Sequence, residues 1–201
     1  MKLRLFALAA LAALSLNANA ALTTYAPWDA QYPGIAGVQF NVKTTLGGSS
    51  IAMGAHPYTS GVTMPNNGID TYYATAGLTT PTRAKWSFDY SWTLAADCSG
   101  CMVELFVDTD PGAGVTYAQL PITGRDSWNM EMGFMTAALG GYNFDPFSAS
   151  STAFSLRLLD ANRVQLAESA ITVNVPEPGS MALLGLGLVG MGAMVRRRTK
   201  G

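Results

Sequence analysis

Histidine occurs once in this 201-residue chain, cysteine twice, and charged residues make up only 12% of the total. Each shortage excludes something. Two cysteines cannot build a disulfide-dense miniprotein, and a hydrophobic share of 49% excludes a disordered acidic or basic chain. Basic residues are few and misplaced for nucleic-acid binding. Of the twelve, Lys2, Arg4, Arg196, Arg197, Arg198 and Lys200 sit at the two ends, whereas all but one of the thirteen acidic residues lie between 21 and 175. The middle of the chain is therefore acidic, and without clustered Lys and Arg it has no means of neutralising phosphates.

What is present is concentrated first at the ends. Lys2 and Arg4 form a positive start, Leu5 to Leu16 an Ala/Leu run, and Ala18-Asn19-Ala20 an A-x-A cleavage pattern. That order is a secretory signal peptide over 1–20, a helix in the precursor handled by the Sec translocon and signal peptidase, with Ala21 as the mature N-terminus. At the other end, Val175-Pro176-Glu177-Pro178 precedes an uncharged run from Gly179 to Val195 and then Arg196-Arg197-Arg198-Thr199-Lys200. The two prolines keep the backbone extended and remove two amide donors. As a helix, Met181 to Val195 covers about 22 Å of a ~30 Å hydrocarbon core, a short transmembrane helix that snorkelling arginines extend. Arg196, Arg197 and Arg198 orient it with the tail in the cytoplasm and residues 21–178 outside.

Pro176-Glu177-Pro178, the Gly/Leu-rich span and the arginine tail together resemble the PEP-CTERM sorting signal of exported proteins from Gram-negative bacteria that make exopolysaccharide. The resemblance covers about the last 27 residues. It implies an exosortase, a membrane cysteine protease or transpeptidase, as partner. It also implies membrane anchoring before processing, removal of the span, and delivery to the envelope, surface or extracellular matrix. A plain anchor with a rigid Pro-Glu-Pro linker is the alternative.

Residues 21–174 are long enough for one domain with its own core, followed by a sorting segment over 175–201. In Trp86-Ser87-Phe88-Asp89-Tyr90-Ser91-Trp92, aromatics alternate with polar residues, which predicts a half-buried strand. Similar alternation runs through 103–108 and 128–134. Phe154 to Leu158 and Val164 to Leu166 flank the turn residues 160–163, 171–175 forms a last strand, and 38–44 and 50–55 join across Gly47-Gly48. Residues 58–70 and 139–151 read as surface loops, the second long enough to host binding. Six to eight short strands without an amphipathic helix predict an all-β fold, an antiparallel β-sandwich, with a closed barrel as the other solution.

Few constellations carry chemistry. In an oxidising compartment, Cys98-Ser99-Gly100-Cys101 reads as a local disulfide. A redox reading lacks a helix N-terminus and a metal reading lacks further ligands, with free thiols as the remaining alternative. Asp108 and Asp110, two apart at a strand end, make the first half of a calcium loop, while Gly112 and Gln119 exclude an EF-hand. A looser calcium site completed by carbonyls stays open beside the plainer reading of two turn-forming aspartates; no other cofactor is expected. Any Ser-His-Asp triad would have to use His56, and no G-x-S-x-G elbow occurs, so His56 is expected to be a loop residue without a catalytic task. Glu104 and Glu131 fall on polar strand faces.

The set Trp86, Phe88, Tyr90, Trp92 and Trp128 is expected in the core rather than on a sugar platform, which leaves Trp28 as the ring for ligand binding. The resulting expectation is an exported, noncatalytic surface protein associated with exopolysaccharide. Its alternatives are a carbohydrate-binding module and a secreted polysaccharide hydrolase working through paired carboxylates. The tail makes a direct prediction. Mass spectrometry of the exported protein should find a C-terminus upstream of Arg196, and a fully exported species retaining Arg196 to Lys200 would contradict the sorting role.

Overall fold

The computed structural model describes residues 21–24, 37–58, 63–110, 112, 114–177 and 179. The signal peptide, Trp28 and the C-terminal span beyond Gly179 lie outside the described residues. Among the described residues the strands are β1 Phe40–Thr44, β2 Ser50–Pro57, β3 Thr71–Tyr73, β4 Leu78–Thr80, β5 Arg83–Ala84, β6 Trp86–Thr93, β7 Met102–Asp108, β8 Tyr117–Leu120, β9 Asp126–Trp128, β10 Ser150–Leu159 and β11 Gln165–Val175. One short helix, α1 Met135–Ala138, precedes β10. A four-stranded sheet has the order β1-β2-β6-β9, a five-stranded sheet β3-β11-β10-β7-β8, and β4-β5 form a small ribbon. Pairing is antiparallel except between β3 and β11.

The two large sheets bury a shared interior, as a sandwich must. Ile51, Met53 and Ala55 of β2 and Trp86, Phe88 and Tyr90 of β6 face Leu105, Val107, Phe154, Leu156, Leu158, Ile171 and Val173 of the other sheet. Phe88 lies 4.5 Å from Phe154, ring to ring, and Trp86 meets Phe154 and Phe144 edge-on at 6.1 and 5.7 Å. Ser169 links the layers along one side. Its hydroxyl accepts the Met53 N–H and donates to the Asn41 carbonyl.

Several elements differ from the sequence pattern. β6 is buried on both faces, not one, and on its polar face Ser87 is bonded by Asn129 and Asp89 by His56. Asn129 donates to the Trp86 and Ala84 carbonyls and accepts the Ala84 N–H. His56 is on β2 rather than a loop, because Pro57 ends the strand one residue later, and its Nδ1 lies 2.8 Å from Asp89 Oδ2. The alternation over 128–134 is not a strand. β9 stops at Trp128, and turns held by Met132 N–H to Asn129 O and Met135 N–H to Met132 O lead into α1, burying Met130 and Met135. Glu131 is therefore in a turn. Residues 165–166 and 171–175 belong to one strand, β11, with Val164 just before it, and β11 pairs along all of β10 with an irregularity at Leu158/Leu159. The stretch 139–151 is only partly a surface loop, since Leu139 and Phe144 enter the core and β10 begins at Ser150.

Asp89 is fully buried. Burial pushes its pKa up, against the pull of His56 and Ser127. The folded chain thus holds this proton more firmly than the unfolded one. That contribution to stability is complete below the ordinary carboxylate range and is lost as pH rises through the raised value. The wild-type advantage over Asp89→Asn should be greatest at about pH 4 and shrink toward neutrality in urea unfolding. His56→Ala, which strands the carboxylate, should cost about 3 kcal/mol at neutral pH, more than Asp89→Asn does.

Candidate functional site: the outward face of the five-stranded sheet

Side chains alternate across a strand, so the inward set of β7 and β10 determines the outward one. With Leu105, Val107, Phe154 and Leu156 in the core, Glu104, Phe106, Asp108, Ala153, Ser155 and Arg157 face out. The register sets Phe106 opposite Ser155 and Gln119, Asp108 opposite Tyr117, and Arg157 between Glu104 and Glu168. The Arg157 guanidinium lies 4.5 Å above the Phe106 ring and 5.7 Å from that of Tyr117. The two rings are 6.1 Å apart at 59°, and Tyr117 is 39% exposed. Ring, cation and carboxylate thus form one half-open platform.

Hydrogen bonds hold the platform in place. Arg157 Nε donates to Ser155 Oγ and Glu168 Oε1, the Ser155 hydroxyl donates to Glu168, and Gln165 Nε2 reaches the other Glu168 oxygen. Partial burial works against ionisation of Glu168, but these bonds and the Arg157 charge outweigh it and hold its pKa below the usual range. Glu104 is taken by Arg163 at 2.6 Å. Planar cation, rings, amide and carboxylate are the groups that engage a polyhydroxylated ring, by stacking on its apolar face and bonding its hydroxyls.

The same face carries a groove of about 710 Å³ lined by Tyr73, Asp108, Ser151, Thr172, Asn174 and Pro176 among others. Tyr73 is 47% exposed and also lines a second hollow, of about 440 Å³, with Met64 and Lys85. The antiparallel β10–β11 hairpin brings Ser150 opposite Val175, so Pro176 and Glu177 leave the sheet beside this groove. Asp108 is buried at the end of β7, and the Asp110 N–H donates to its Oδ1. Cys98 and Cys101 are joined by a disulfide with Cα–Cα 5.3 Å in the turn between β6 and β7, at the opposite end of β7 from Asp108.

Trp86, Phe88 and Tyr90 are in the core, while Trp92 and Trp128 are half-buried at its margin. Phe106, Tyr117 and Arg157, which form the exposed platform instead, come from three strands and share no local pattern in the sequence. Among the described residues no group of three or more His, Cys, Asp or Glu side chains is placed to hold a metal ion. Nor is any described helix long and apolar enough to cross a membrane.

Residues 174–198 match the family model described as the PEP-CTERM protein-sorting motif. Neither curated proteins nor solved structures give a match. The motif marks an exported bacterial surface protein recognised by an exosortase.

The platform makes its own prediction. Depressed Glu168 contributes stability above its unfolded pKa and loses it as pH falls through the lowered value. Arg157→Met should therefore lower stability at neutral pH by only about 0.5–1 kcal/mol, since the pair is partly solvated. The deficit should narrow in urea unfolding at about pH 3.

Proposed function

We propose that this chain is a noncatalytic, exported surface protein that holds exopolysaccharide on the outward face of its five-stranded sheet, in the envelope or matrix of a Gram-negative bacterium. The observation that carries the reading is the half-exposed platform of Phe106, Tyr117 and Arg157, on the same sheet face as the groove lined by Tyr73 and Asp108. Stacking surfaces next to groups committed to hydrogen bonding suit a sugar chain lying along the sheet. A sorting motif that delivers the domain to the surface supplies the compartment in which such polymers occur. The tail anchors the precursor in the membrane, and exosortase removes it.

A carbohydrate-binding module is thus the molecular form of the reading, and the noncatalytic part rests on the state of the carboxylates. Glu104 is bound to Arg163, and Glu168 to Arg157 and Ser155, so neither is placed as a free acid or base on this face. Glycoside hydrolysis needs one carboxyl group held protonated and a second one ionised across the scissile bond. Glu131 has a pKa raised by partial burial and by Asp145, but it sits on a turn away from the platform.

Affinity electrophoresis in gels containing the producing cell's own polysaccharide tests the proposal. Tyr117→Ala and Phe106→Ala should each weaken retention by about tenfold, the scale of one lost stacking contact. Trp28→Ala should leave it unchanged. Retention that falls only with Trp28→Ala would move the site to that ring, and release of reducing sugars by the wild type would overturn the noncatalytic reading.

A further inference from the structure

We propose that the turn following β7 binds a calcium ion through the carboxylates of Asp108 and Asp110, at the wall of the groove. Asp108 is 2% exposed. Its Oδ1 accepts the N–H groups of Asp110 and Thr116 at 2.9 and 2.8 Å, which ties the two ends of the turn together. Its Oδ2 is buried and has no hydrogen-bond partner. A desolvated carboxylate oxygen with no donor is costly, and a bound cation supplies what it lacks. Among the described residues no basic side chain is bonded to Asp108, and Arg157, the cation on this face, is paired with Glu168.

The second carboxylate is placed by the same turn. Asp110 Oδ1 accepts the Gly112 N–H at 2.9 Å, and its side chain lies where larger residues would collide with it. A Cβ at Gly114 would stand 2.6 Å from Asp110 Oδ2, and one at Gly112 3.0 Å from Oδ1. Glycine at these two positions therefore keeps room for the Asp110 carboxylate. The Ser150 hydroxyl, also buried and without a partner, lines the same groove.

The chemistry of the donors selects the ion. Every group available is oxygen, which excludes soft and borderline metals, and the set is irregular, with two carboxylates to be completed by carbonyls, hydroxyl and water. Calcium accepts that irregularity, whereas magnesium demands a near-ideal octahedron and gives up its water reluctantly. With two carboxylates, affinity belongs to the extracellular class, a Kd of about 0.1–1 mM. Binding would stiffen the turn that forms the groove wall.

The test uses the full chain, purified in detergent and stripped with EDTA. Calcium should raise the melting temperature in a saturable way. Terbium should give luminescence sensitised through Tyr117 and Tyr142, displaced by calcium more readily than by magnesium. Asp108→Asn and Asp110→Asn should each lose at least tenfold in affinity. Asp160→Asn, in which the altered carboxylate accepts N–H bonds in a comparable turn between β10 and β11, should keep it. If Asp108→Asn does not fold, Asp110→Asn decides. No thermal shift and no terbium signal up to about 10 mM would overturn the site, as would an equal response from wild type and the foldable Asn variants. No glycan enters the measurement, so its result is independent of the polysaccharide reading.

Discussion

The close, tilted contact of the Phe88 and Phe154 rings is the contact on which the rest of the molecule depends. It joins the central strand of one sheet to the central strand of the other, and so determines which parity of β10 points inward. Because the side-chain period is two, this also determines the outward set. A slip of one residue would carry Arg157 and Ser155 into an apolar interior and expel Leu156 and Leu158. The burial of two aromatic rings and the position of the surface platform are thus one choice of register. The core enforces that choice at a cost of several kcal/mol for any alternative.

The long β10–β11 hairpin transmits that register to both ends of the domain. At its turn end lies the disulfide-closed loop of Cys98 and Cys101, with Gly100 at φ 81° close against Ala161. At its open end, Ser150 and Val175 are paired, the groove opens, and Pro176 begins the sorting segment. No spacer separates the last paired residue from the motif. Proline at 176 also suits this place, since it cannot donate another ladder bond and so ends the pairing at the sorting motif.

How far the sequence discloses this depends on what each pattern reports. The alternation over 86–92, 103–107 and 154–158 marks real strands because large apolar residues recur at every second position and must share a face. It says nothing about whether a second layer covers the opposite face, and Ser87, Asp89 and Ser91 are buried there. Over 128–134 the same spacing comes from successive turns. Asn129 leaves β9 to bond the backbone of β5 and β6, a long-range choice with no local signature. The platform is least legible for a related reason. Phe106, Tyr117 and Arg157 are brought together by register alone, whereas Asp108 and Asp110 show their spacing directly in the chain.

Two buried aspartates show how the same residue type is used differently. Asp89 faces a titratable ring at 2.8 Å and the Ser127 hydroxyl, and burial opposes its ionisation. Its Oδ1 is buried without a partner, like one oxygen of Asp108, but its Oδ2 is paired with His56, and this pair helps to join β2 to β6. Asp108 has amide donors on one oxygen only, a second carboxylate two residues on, and no bonded base among the described residues. The calcium ion proposed for this turn would supply the partner that its second oxygen lacks.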